Sequence, residues 1–180
     1  MRRRARWIFV VVLLVLLIAA AAALIFVQKP TLDDGRDAVD TRWSAIRPAL
    51  VTRYDHLDTA LQAFVAAAGE RTVAADTQRE LAAWRTAVSD GGQEQQADAA
   101  NRLEGLGVRM RANVLASPRL AGVAEISDAL AAYGTSAPTE DLVDRYNRAV
   151  RTYEDDRTET LHVPVARLFG FESRPTFALR

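Results

Sequence analysis

The residues most able to do chemistry in this chain are its two histidines and the carboxylates near them. Glu159 and His162 are three positions apart, so on a helix both side chains lie on one face. Di-iron carboxylate bundles use this motif, but they need it on two helices, with a glutamate from each of two more. The other histidine, His56, has Arg53 three positions before it. The second half of a di-iron site is missing, and we predict no metal ligands.

Two other polar groups, Tyr54-Asp55-His56 and Asp155-Asp156, also invite a catalytic interpretation. Adjacent carboxylates on a helix point about 100° apart, and a Ser-His-Asp arrangement is assembled in space, so the sequence leaves it open. The chain has no strand-elbow serine motif, phosphate-binding glycine loop or H-E-x-x-H. It also lacks cysteine, which excludes disulfides and thiolate chemistry. We predict no catalytic residues and no cofactor; an acid and histidine site in a helical core is the alternative.

An uninterrupted apolar run occupies residues 7–27, and arginines fill positions 2, 3, 4 and 6 before it. As a helix, this run measures about 31 Å, the thickness of a bilayer's hydrocarbon core. We predict a transmembrane anchor over 7–27 and a basic cytoplasmic N-terminus over 1–6, since positive charge favours the cytoplasmic side. The alternative is a cleaved signal peptide that ends in the alanines at 19–23. The run continues through Val27 with no polar segment, which favours the anchor.

The net charge of zero conceals an asymmetry. Residues 1–30 carry five basic groups and no acidic ones, which leaves 18 basic and 23 acidic groups in residues 31–180, a net charge near −5. Nucleic acid binds to basic protein surfaces, so a domain with this negative net charge is a poor candidate for a nucleic-acid-binding protein. We therefore predict a single-pass protein of the cell membrane, with the domain at 28–180 outside the cytoplasm and no nucleic-acid partner.

Apolar residues after the anchor recur at helical spacing. The most regular series has steps of three and four and forms the seam of a long helix: Val39, Trp43, Ile46, Leu50, Tyr54, Leu57, Leu61, Phe64 and Ala68. We expect a short break in the helix after Pro30 and a kink or one lost hydrogen bond at Pro48. Further helices are predicted over 76–88, over 93–115, from Ser117-Pro118 to Gly134, and from Pro138 to Pro164. Period-two alternation is absent, so the predicted fold is all-α, a transmembrane helix followed by an antiparallel helical bundle.

The segment 168–177 contains three phenylalanines, Phe169, Phe171 and Phe177. Apolar side chains of this size do not stay in water without a function. They either fold back onto the bundle or dock on a partner or a membrane surface. Packing is the favoured interpretation, and the three residues are the candidate interaction segment.

Several of these stretches resemble the LemA family of membrane-anchored bacterial proteins. Arg36-Asp37-Ala38-Val39-Asp40, Trp43-Ser44-x-Ile46 and Arg53-Tyr54-Asp55 are similar to that family's R-N-x-V-D-x-x-W-S-x-I and R-Y-D. Tyr146-Asn147-x-Ala149-Val150-x-x-Tyr153 is similar to its Y-N-x-x-V-x-x-Y. The ending Leu168-Phe169-Gly170-Phe171, with Pro175 and Phe177, is similar to its L-F-G-F-x-x-x-P-x-F. The family's proline after Tyr-Asp is replaced by Asp58, as in a divergent member.

The resemblance implies a LemA-like bundle with no enzymatic activity, cofactor or catalytic residues. We expect a non-enzymatic scaffold or interaction module at the bacterial cell envelope, in contact with the bilayer through 7–27. Its partner is either another protein or a second copy of the chain. A homo-oligomer that organises membranes and an enzyme subunit are the two alternatives.

Overall fold

The computed structural model describes the backbone of residues 2–180 and their side chains, except those at 2–6, 8, 9, 20, 21 and 24. These residues form seven helices: α1 (Arg2–Ala66), α2 (Arg71–Asp90), α3 (Gln93–Ala116), α4 (Pro118–Ala121), α5 (Ala124–Thr135), α6 (Glu140–Thr158) and α7 (Val163–Phe169). No strand occurs within residues 2–180. The prediction of an all-α protein is confirmed.

The seam predicted on α1 is buried from Val39 to Phe64, each of these side chains being at most 5% exposed. Its last member, Ala68, lies outside the helix with a φ of 52°, where the Gly69 amide donates to the Phe64 carbonyl at 2.9 Å. The predicted break after Pro30 is wrong, because α1 runs through both Pro30 and Pro48. A proline inside a helix costs about 3 kcal/mol, and burial of nearby side chains, Leu32 beside Pro30 and Ile46 and Leu50 beside Pro48, offsets that cost.

The later helices follow the predictions with three differences. α2 begins five residues before the predicted start at 76, whereas α3 ends within one residue of the prediction. The helix predicted from Ser117 to Gly134 is divided at Gly122 into α4 and α5. Pro164 lies in the first turn of α7, the position where a proline needs no hydrogen-bond donor, so it starts a helix instead of ending one.

The chain divides into two compact units. The first contains the residues up to Ala38 together with Thr152–Ser173, and the second contains Val39–Arg151 together with Arg174–Arg180. The segments predicted at 7–27 and 28–180 coincide with neither unit and stay predictions.

In the second unit, α2 and α3 form an antiparallel pair joined by two glycines. Glu80 accepts from Arg102 at 2.6 Å, and the Gln96 side chain donates to the Ala87 carbonyl at 3.1 Å. Later positions on α2 therefore contact earlier positions on α3, as expected of antiparallel helices. The ring of Trp84 on α2 packs edge-on against Tyr54 of α1, with 5.0 Å between the ring centroids, so α1 completes a helical bundle.

The predicted anchor belongs to the first unit, and it includes positions 8, 9, 20, 21 and 24, whose side chains lie outside those described. Across the described residues, no helix has a stretch that is long and apolar enough to cross a bilayer.

Candidate functional site

The three phenylalanines of the candidate interaction segment occupy different environments. Phe171 and Phe177 are 5% and 1% exposed, whereas Phe169 is 42% exposed. Phe169 and Phe171 belong to the first unit and Phe177 to the second. Packing, the favoured interpretation, therefore describes two of the three, and only Phe169 remains available at a surface.

The turn after α7 separates Phe169 from Phe171. Gly170 has a φ of +67°, a conformation that glycine adopts without steric cost, and the Phe171 amide then donates to the Ala166 carbonyl at 2.9 Å. Phe171 is thereby turned into the unit, with the guanidinium carbon of Arg36 5.3 Å from its ring centroid. A helix that ends in this way leaves Leu168 and Phe169 on its outer side, 67% and 42% exposed.

α7 is held against α1 by contacts with the two residues that follow the apolar run. The ring of His162 lies between the Asp156 carbonyl oxygen, 2.6 Å from Nδ1, and the side-chain oxygen of Gln28. The ammonium nitrogen of Lys29 lies 5.5 Å from the centroid of the Phe169 ring. The orientation of α7 in the first unit is thus fixed by the start of the polar part of α1.

The Glu-x-x-His pair is the closest approach to a metal motif. Glu159 Oε2 lies 3.3 Å from His162 Nδ1, and the glutamate side chain is 60% exposed. The other histidine, His56, belongs to the second unit. Among the described side chains, no three histidine or acidic residues are grouped as they would be around a metal ion.

The second unit contains a buried ion pair that sequence reasoning missed. Arg53 of α1 and Glu104 of α3 are 2% and 0% exposed and form a two-pronged contact, with Nε–Oε1 and Nη2–Oε2 distances of 2.8 and 2.9 Å. The third guanidinium nitrogen, Nη1, donates to the Tyr133 carbonyl at 2.5 Å. Tyr54 donates its hydroxyl to Glu104 at 3.2 Å. Every charge here has polar partners, as burial requires.

Burial sets the protonation of this cluster. Loss of water and the neighbouring Glu104 carboxylate raise the pKa of the Tyr54 hydroxyl well above its usual value, and the same two causes raise the pKa of Tyr133. Burial would lower the pKa of the Arg53 guanidinium, but its hydrogen bond to Glu104 raises it. The Arg53 guanidinium therefore stays positively charged and the hydroxyls of Tyr54 and Tyr133 stay neutral, so these three groups do not exchange protons near neutral pH.

The last seven residues of the second unit, Arg174–Arg180, lie between α3 and α6 and form no helix. The amide of Asn147 on α6 binds the Phe177 backbone on both sides, donating to its oxygen at 2.8 Å and accepting from its nitrogen at 2.9 Å. Asn101 on α3 does the same for Thr176 and Ala178, at 2.7 and 3.0 Å. The two asparagines replace the secondary-structure partners that this backbone lacks.

A weak signal for Glu104 was present in the sequence. Ala97, Ala100, Glu104 and Gly107 follow one another at steps of three and four, and the first three are fully buried. A small-residue face of that kind indicates close helix packing, and a carboxylate within it needs a buried cation.

Comparison with models of protein families, with curated proteins and with solved structures gives no match for this chain.

Proposed function

We propose that this chain is a LemA-like, non-enzymatic scaffold or interaction module of the bacterial cell envelope, anchored in the membrane by residues 7–27. The observation that carries the proposal is the position of the residues on which the LemA resemblance rests. Eleven of them are core residues or hold the final segment: Val39, Trp43, Ile46, Arg53, Tyr54, Tyr146, Asn147, Val150, Tyr153, Phe171 and Phe177. A motif set that builds architecture is typical of a scaffold, whose function depends on its surface.

Membrane anchoring is supported by the exposed apolar side chains of α1. Nine consecutive residues, Val10–Ile18, are between 42% and 61% exposed, and Phe26 is 87% exposed. Contact of these nine side chains with water would cost on the order of 10 kcal/mol, and a bilayer removes that cost. The arginines at 2, 3, 4 and 6 favour a cytoplasmic N-terminus and an outward domain.

A non-enzymatic role is supported by the chemistry of the buried polar residues in the second unit. The three nitrogens of Arg53 are directed at Glu104 and at the backbone oxygens of Tyr133 and Arg180. Gln96 accepts from the Trp43 indole at 2.8 Å and donates to the Ala87 carbonyl. Groups used in this way stabilise the packing of helices and have little capacity left for a substrate.

The proposal is tested by cross-linked capture from bacterial membranes. The full chain is compared with a control in which residues 1–38 are joined to an unrelated domain of similar size. We expect the full chain to remain in the membrane fraction after alkaline washing and to capture a reproducible protein, or a second copy of itself, that the control does not capture. Release by the alkaline wash would contradict the anchor, and equal capture by both chains would contradict the interaction role.

A further inference from the structure

We propose that Leu161, Leu168 and Phe169, here called the collar, form a second membrane contact that rests on the bilayer surface where the apolar run of α1 ends. This inference rests on the proposed anchoring of residues 7–27. It assigns the collar to lipid and not to a protein partner.

The depth of the collar follows from its contacts with α1. Phe169 lies against Lys29, and His162, next to Leu161, contacts Gln28. Gln28 and Lys29 directly follow the last residue of the apolar run, Val27, so they lie within about 3 Å of its end along the helix axis. If residues 7–27 span the hydrocarbon core, Phe169 and its neighbours lie at the boundary between acyl chains and headgroups.

The chemistry of the collar fits that boundary. Its three side chains are 55%, 67% and 42% exposed, and the last two residues of the apolar run, Phe26 and Val27, are 87% and 67% exposed. Apolar side chains are therefore exposed both on the collar and at the end of the predicted span. Lys29 extends its ammonium group beside the ring of Phe169, as expected of a long cationic side chain with its stem in the apolar layer and its charge among headgroups.

The exposure of the collar results from an ordered fold. Gly170 turns the chain so that Phe171 is buried while Phe169 is not, and His162 fixes the start of α7 through Asp156 and Gln28. Charges of both signs lie beside it, Glu159 on one side and Lys29 and Arg167 on the other, so the collar has no charge excess that would require an anionic lipid. A neutral phosphatidylcholine surface is therefore the expected partner, held by apolar contact.

The absence of cysteine from the chain permits a clean test with single nitroxide labels. The full chain is reconstituted in phosphatidylcholine vesicles as three variants, Leu168→Cys in the collar, Leu16→Cys in the predicted span and Leu115→Cys in the second unit. Leu115 is the matched control, because it is a helical leucine with 76% exposure. The measurement is the accessibility of each label to oxygen, which concentrates in lipid, and to a nickel chelate, which stays in water.

We expect the ratio of oxygen to chelate accessibility to be highest at position 16, intermediate at 168 and lowest at 115. If position 16 is lipid-exposed while 168 matches 115, the collar contact is overturned and the anchor survives. If position 16 is also aqueous, the anchor itself has failed. Low accessibility of position 168 to both reagents would mean that protein covers the collar, and this too would overturn the proposal.

Discussion

Removal of one partner from the buried Arg53–Glu104 pair should destabilise the second unit severely. In Glu104→Ala, the guanidinium remains 2% exposed without its carboxylate, and breaking a buried pair on one side costs about 3–5 kcal/mol. The Arg180 amide also loses its acceptor, at about 1 kcal/mol, while the Tyr54 hydroxyl keeps the Ala100 carbonyl as an acceptor. We therefore expect a loss of at least about 4 kcal/mol, a large part of the 5–15 kcal/mol typical of a folded domain.

The double variant Arg53→Met/Glu104→Leu separates the cost of an unpaired charge from the value of the pair. It leaves no buried ion, so we expect it to be more stable than Glu104→Ala by about 2 kcal/mol or more. The assay is denaturant unfolding of the full chain in detergent micelles, followed by tryptophan fluorescence, since Trp84 packs on Tyr54 beside the pair. Arg145→Ala is the control, because Arg145 and its partner Asp141 form an exposed ion pair, with side chains 57% and 61% exposed. This variant should change the free energy of unfolding by less than about 1 kcal/mol. A Glu104→Ala protein as stable as the control would refute the reasoning, and so would a double variant less stable than Glu104→Ala.

Three further predictions concern packing and burial elsewhere in the chain. A Cβ added at Gly107 would lie 2.5 Å from the Tyr133 hydroxyl, whereas one at Gly105 would meet only a flexible guanidinium at 3.7 Å. Gly107→Ala should therefore lower the free energy of unfolding by about 1–3 kcal/mol. Gly105→Ala should raise it by about 0.5–1 kcal/mol. Equal effects in denaturant titrations would contradict this packing. Phe177→Ala should cost about 3–5 kcal/mol and the exposed Phe169→Ala less than about 1 kcal/mol, as measured by thermal unfolding in micelles, and a larger loss for Phe169 would reverse their assigned roles. Burial raises the pKa of three tyrosines, so their contribution to the free energy of unfolding is complete below pH 10. It declines as pH rises above 10, by up to about 1.4 kcal/mol per pH unit for each group. Denaturant midpoints that stay constant from pH 9 to 11 would be inconsistent with this. The three are Tyr54, Tyr133 and Tyr146.

The C-terminal segment illustrates how far sequence reasoning reached. Three phenylalanines close together predicted that apolar surface would be buried, and Phe171 and Phe177 are buried. Their partition between two units was not predictable, because it depends on the left-handed turn at Gly170 and on the asparagines of α3 and α6 that hold the final backbone. Those asparagines are 46 positions apart in the sequence, and no local pattern connects them.

The existence of the helices and the seam of α1 were determined by the chain alone, because the spacing of apolar residues fixes which face of a helix avoids water. The same is true of the apolar run at 7–27 as a feature of the sequence. Only the tertiary structure decided which polar residues are buried. Glu104 carries the same carboxylate as the exposed Glu159, and it is buried because helix packing brings Arg53, 51 residues earlier, within hydrogen-bond distance. The free energy of a buried charge depends on such a partner, and the position of that partner is a property of the fold.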